Sequence, residues 1–117
     1  MAPRTAGPSP HVHRSWDEAF YVLTGEMTFV IDGAEHVAPA GSFVFVPHGV
    51  PHAFRNEGLE PARQLTIVAP SGIEDLFAAL GALRAAGAAT PEALAALNAA
   101  HDTVVLPTDR APYGPLD

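Results

Sequence analysis

The sequence predicts a mainly β protein, a small antiparallel β-barrel or sandwich carrying two C-terminal helices. Three observations lead there. Between residues 11 and 70, short β-forming runs alternate with turns bearing Gly and Pro. Asp32-Gly33 is the strongest short hairpin signal in the chain, because a type I′ turn needs positive φ at both central residues. After Pro70 the composition turns Ala-rich and helical, and strands followed by helices place the helices at the edge of an antiparallel sheet. With 117 residues the chain is expected to form a single domain. It divides into an extended arm (1–10), a barrel core (11–70), helices (71–101) and a tail (102–117).

Taken in order, prolines at 3, 8 and 10 forbid a helix in the arm. His11 to Arg14 is short and extended. From Glu18 to Leu23 the run Glu-Ala-Phe-Tyr-Val-Leu alternates, with Glu18, Phe20 and Val22 on one face and Ala19, Tyr21 and Leu23 on the other. Thr24-Gly25 breaks it. Met27, Phe29 and Ile31 share a face of the next strand, and Ala34 to Ala38 returns as its hairpin partner. Pro39-Ala40-Gly41 turns the chain. The near-continuous apolar run Phe43-Val44-Phe45-Val46 reads as a strand buried on both faces. The tight loop from Pro47 to Pro51 delivers His52, which shares a face with Phe54 and Asn56. Ala62 to Val68 is the last clear strand of the core, with Leu65 and Ile67 opposed to Thr66 and Val68. Ser71 is expected to cap a helix reaching about Leu83, with Glu74 and Asp75 favourable to its dipole and an apolar stripe of Ile73, Leu76, Phe77 and Leu80 covering the barrel mouth or edge. Thr90-Pro91-Glu92 starts a second helix, to about His101. Thr103 to Leu106 is a brief strand before a Pro-rich end.

The balance of 6 basic against 13 acidic residues, with no basic run, argues against nucleic acid or an anionic membrane surface as partner. No apolar stretch approaches the length of a membrane span. The absence of cysteine removes disulfides, thiolate metal sites and cysteine nucleophiles together. The expected location is the cytoplasm. No Gly-x-Ser-x-Gly elbow, phosphate loop or dinucleotide fingerprint is present.

The residues that carry chemistry are His11, His13, Glu18 and His52. Two histidines separated by one residue on a strand point to the same face, so their ring nitrogens can converge on one ion. A nearby carboxylate and a third histidine from a distant strand complete a nitrogen and oxygen donor set. Such donors suit Fe, Ni, Mn, Cu or Zn rather than Ca or Mg. Four ligands in a tetrahedron close a site, whereas in an octahedron the same four leave two positions open. Phe20 and Phe54 share the parity of the ligands and are expected to line a pocket, while Phe29, Phe43 and Phe45 are expected in the core. Asp17 points away from the site; His36 and His48 belong to the surface, and His101 suits a helix C-terminus. Trp16, in a polar loop, is expected to be a solvent-side lid or a partner contact.

The spacing carries a resemblance. His11-x-His13, four residues, Glu18, six residues and Gly25 are followed, fifteen residues later, by Gly41, five residues, Pro47-x-Gly49, two residues, His52, three residues and Asn56. These paired motifs resemble those of the cupin superfamily, small jelly-roll β-barrels that hold a metal. One position departs from the pattern: Thr5 stands where the first motif opens with glycine. Members also carry one or two strands ahead of the motif, and Thr103 to Leu106, from this chain or a partner, is expected to fill the gap. By position, the resemblance makes His11, His13, Glu18 and His52 the ligands of one divalent transition metal. The local runs around them are similar to single-domain bacterial cupins of the quercetin dioxygenase type. The resemblance therefore implies a metal-dependent oxygenase acting on a small enolic or aromatic compound, with Glu18 as ligand and catalytic proton acceptor. The alternatives are a non-redox isomerase or cyclase of secondary metabolism and a non-catalytic small-molecule binding module. A homodimer is expected, since cupins commonly pair and the N-terminal edge would leave a strand unpaired.

Overall fold

A computed structural model describes residues 1–106. The chain forms β1 (Thr5–Ala6), β2 (His11–His13), β3 (Asp17–Thr24), β4 (Glu26–Ile31), β5 (Ala34–Pro39), β6 (Phe43–Val46), β7 (His52–Asn56) and β8 (Arg63–Ala69). The helices α1 (Ile73–Ala85) and α2 (Pro91–Ala100) and the strand β9 (Thr103–Val105) follow. One sheet runs β5-β4-β7-β2-β9, with β1 also pairing β7, and the other runs β6-β3-β8. Every ladder is antiparallel. The expected barrel thus takes the form of two sheets that share no ladder among the described residues, a jelly roll rather than a closed cylinder.

The core lies between the sheets. Phe20 and Val22 from one meet Met27, Phe29 and Ala38 from the other, with Val46 and Ala62 completing the cluster. Phe20 sits against Phe29 and Phe54 at ring-centroid distances of 5.1 and 5.4 Å. The hairpin forms as the turn chemistry requires, with Asp32 at φ 50° and Gly33 at φ 82°, which pairs Ile31 with Ala34. Gly25 ends β3 at φ 74°, where a Cβ would lie 2.6 Å from the Pro61 carbonyl oxygen and 2.8 Å from the Ala62 Cα. Only glycine satisfies both demands.

Three expectations change, and a fourth, that Thr103 to Leu106 closes the edge beside β2, is met. The N-terminal arm is not free: Thr5 and Ala6 pair with Asn56 and Arg55. The Asn56 side-chain amide also donates to the Met1, Ala2 and Glu60 carbonyls, so the last motif residue pins the arm down. The gap beside β2 is closed by this chain itself, through His11↔Val105, Val12↔Val104 and His13↔Thr103, which removes the open edge that suggested a partner. The β6 strand is not buried on both faces, because Phe43 and Phe45 are 63% and 55% exposed; nothing described covers the outer side of its sheet. Finally, Gly72 rather than Ser71 precedes the first helical turn, and its N–H donates to the Glu74 carboxylate at 3.0 Å. Trp16 packs against Gly72, whose φ of 134° suits glycine. The second helix starts as expected, the Thr90 hydroxyl accepting from Ala93 N–H at 3.1 Å ahead of Pro91. The Pro-rich end assigned to the tail lies outside the described residues.

Candidate metal centre

The parity of β2 turns His11 and His13 inward, and β3 and β7 bring Glu18 and His52 to the same point. All four are buried, and one donor atom from each lies within 4.8 Å of the others. The four residues singled out in the sequence are therefore brought together by two strands of one sheet, β2 and β7, and one of the other, β3.

The outer nitrogens decide what the inner ones offer. His11 Nδ1 donates to the Ser9 carbonyl at 2.7 Å and His52 Nδ1 to the Val50 carbonyl at 3.0 Å. His13 Nδ1 lies 2.9 Å from the Thr103 hydroxyl, whose own proton goes to the His101 carbonyl at 3.0 Å, so His13 must be the donor here too. Each imidazole thus presents Nε2 with a lone pair toward the centre when neutral. Such outer hydrogen bonds are the usual means of fixing a ligating tautomer.

His13 Nε2 is buried without a hydrogen-bond partner, although Glu18 Oε2 is 3.3 Å away. His52 Nε2 is 2.6 Å from the same oxygen. A lone pair facing a carboxylate at that distance requires a proton or a cation between them. One metal ion would satisfy the orphaned His13 nitrogen and this contact together. The donor set fits a single transition-metal ion.

Electrostatics agree. Burial, followed by the neighbouring His52, lowers His11 from 6.5 to about 4, so it is a neutral imidazole at neutral pH. Burial alone would raise Glu18, but the adjacent imidazoles of His13 and His52 outweigh it and lower the carboxyl from 4.5 to about 2. The cluster therefore holds an ionised carboxylate and at least one uncharged imidazole, the forms in which these groups ligate.

The centre opens on a cavity of about 510 Å³, within the range of small-molecule sites. His11, His13 and Glu18 lie in its wall with Phe20 and Phe54, as their parity suggested, and both helices contribute apolar side chains. Trp16 is not a lid or a partner contact. It is buried, 5.5 Å from the His13 ring, and forms a wedge between β2 and the start of α1. Asp17 binds the backbone N–H and ring of exposed His48, both at 2.8 Å, and takes no part in the centre. His36 is exposed on β5.

Thr103 was not legible as a site residue. It lies 90 positions from His13, and only the β2–β9 register brings them together. Asp102 was equally hidden. Its carboxylate accepts from the Ser15 and Trp16 N–H groups at 2.9 and 3.2 Å and so secures the turn after His11 and His13.

The chain is similar to known proteins. The chain is 32% identical over 71 residues to quercetin 2,3-dioxygenase of Bacillus subtilis (strain 168), covering 61% of this chain and 21% of that protein. It therefore spans about a fifth of the length of the curated relatives it matches. Among solved structures, a sugar phosphate isomerase of the cupin superfamily from Silicibacter pomeroyi superposes with a TM-score of 0.56 at 27% identity, covering 61% of this chain and 46% of that one. A predicted oxalate decarboxylase from Thermotoga maritima gives 0.55 at 26% identity, covering 58% of each. No helix among the described residues is long and apolar enough to cross a membrane. A cupin domain family model matches residues 1–68, more than half of the chain, and with the jelly roll and the buried three-histidine, one-glutamate cluster it establishes that this chain belongs to the cupin family.

Proposed function

We propose that this protein is a metal-dependent cupin enzyme in which His11, His13, Glu18 and His52 hold one divalent transition metal, and that it acts as an oxygenase on a small enolic or aromatic compound. The observation that carries the metal is the orphaned His13 Nε2 beside a carboxylate already in contact with His52. The oxygenase assignment draws on the likeness to quercetin 2,3-dioxygenase, and the apolar cavity beside the cluster suits an aromatic body. A bound ion would supply Lewis acidity toward a substrate oxygen. Glu18 is the carboxylate in the cavity wall and is ionised across the neutral range, so it would help hold the ion and is placed to accept a proton from a bound enol. The phenyl rings of Phe20 and Phe54 shape the wall and exclude water.

The test is metal analysis of protein purified without added metal, joined to oxygen uptake on catechols and flavonols. Fe, Ni, Mn or Cu with uptake is expected. Stoichiometric zinc without uptake moves the reading to a non-redox isomerase or cyclase, a class that the sugar phosphate isomerase among the structural relatives favours, or to a binding module.

We also propose that the protein is a homodimer paired through the outer face of the β6-β3-β8 sheet. Tyr21 pairs with Phe43 and Leu65, and Ala19 with Phe45 and Ile67, so two apolar rows cross all three strands. Tyr21, Phe43, Phe45, Leu65 and Ile67 are 40 to 63% exposed. Contiguous apolar surface of this kind marks an interaction face. Sedimentation at micromolar concentration is expected to give a dimer and Phe45→Glu a monomer; a wild-type monomer defeats the idea.

A further inference from the structure

The cavity wall carries ionisable side chains at two places, with the apolar stripe of α1 running between them. One place is the His/Glu cluster. The other is Arg84, the one lysine or arginine among the lining residues. On α1 the lining positions Ile73, Leu76, Phe77, Leu80 and Arg84 recur at helical spacing and form a single stripe. The start of this stripe is moored near the metal centre, because Trp16 bridges the His13 ring and Gly72. Arg84 lies eleven residues beyond Ile73, which at 1.5 Å per residue places it about 16 Å further along the helix axis. The stripe is thus a ruler, with the ligand cluster at one end and a guanidinium at the other. Arg84 forms no ion pair among the described residues. It stands in a protein of formal charge -7, whose overall field repels anions, so an anionic ligand needs a local cation to be admitted.

We infer that the cavity takes an elongated amphipathic carboxylate, its oxygen-bearing head at the His11/His13/Glu18/His52 cluster, its apolar body along the α1 stripe and its carboxylate on Arg84. The inference rests on the proposed small-molecule site and narrows its substrate class. A planar guanidinium meets a carboxylate with paired hydrogen bonds, which a neutral group of the same length cannot reproduce. Arg84 is then a specificity-determining residue, remote from the reacting end. Small neutral catechols would fill the inner half of the cavity alone.

The experiment compares decanoate with decanol, an anion and a neutral molecule on the same chain, by calorimetric titration of the protein as purified. Wild type is expected to bind decanoate about tenfold more tightly than decanol, Arg84→Lys to retain part of that preference, and Arg84→Gln to abolish it. Because Arg84 is exposed on a helix, both variants should melt with wild type, and circular dichroism checks this. Equal binding of the two probes by wild type, an undiminished preference in Arg84→Gln, or no binding of either probe overturns the inference. Metal content measured on the same samples separates the two readings. Metal bound with no role for Arg84 sinks the inference alone, and an Arg84-dependent preference in protein that never binds metal sinks the metal reading alone.

Discussion

Acidification of the metal-free protein isolates one side chain. His11 is lowered from 6.5 to about 4 by burial and by the neighbouring His52, whereas in the unfolded chain it titrates near its ordinary value. Between these two values the unfolded state binds a proton that the folded state refuses, so stability must fall as pH falls through the window. Going from pH 7 to pH 5, linkage amounts to roughly 2 kcal/mol at 1.36 kcal/mol per pKa unit. For a domain of this size that is about 8 °C in Tm. Glu18 also has a lowered pKa, but its loss of stability sets in only below its ordinary value of 4.5, so the window from pH 7 to 5 reports mainly on the imidazole. The assay is scanning calorimetry of chelator-treated protein at pH 7, 6 and 5, beside His11→Gln, which has no proton to gain there. The wild-type Tm should drop by the stated amount and the variant's by much less. A flat wild-type profile, or an equal slope in the variant, would refute the claim that His11 is buried as a neutral ring.

Other outcomes follow from the same geometry. His13→Ala or His52→Ala should lose stoichiometric metal and lower the melting temperature of the loaded protein, read by elemental analysis and calorimetry; undiminished metal content would refute the site. Metal affinity should weaken as pH drops below about 6, because protons compete for ligating imidazoles; competition titration with a chromophoric chelator measures it, and a pH-independent affinity would count against histidine ligation. Thr103→Val removes the acceptor that orients His13 and should weaken metal binding by about 10- to 100-fold while all four ligands remain. Gly25→Ala forces a Cβ to 2.6 Å from the Pro61 carbonyl at positive φ and should cost about 2 to 4 kcal/mol in urea unfolding.

What could be read from the chain and what could not divide along a physical line. His52 was legible through the second of the paired motifs that carry the family resemblance, and His11, His13 and Glu18 through strand parity and short spacing, both local properties. The Asp32-Gly33 hairpin and the Thr90-Pro91 helix start were legible for the same reason. Thr103, Asp102 and the pairing of Thr5 with Asn56 were not, since they depend on the register between segments far apart in sequence. Arg84 carried no signal in the sequence, and only the packing of α1 sets it in the cavity wall. The run from Phe43 to Val46 misled for another reason. An apolar residue on both faces signals that both faces avoid water, but it does not say whether the same chain or a second molecule provides the cover.

The placement of β9 has a consequence for biosynthesis. β2 sits between β7 and β9, so His11 and His13 are made some ninety residues before the Thr103–Val105 strand that becomes their outer neighbour. Contacts of such long sequence separation are slow to form. A nascent chain stopped after α2 would carry every ligand yet lack the hydroxyl that sets His13 and the carboxylate of Asp102 that holds the following turn. The proposed metal binding is thereby tied to the synthesis of β9, and a chain stopped before it should hold an ion more weakly than one that includes it.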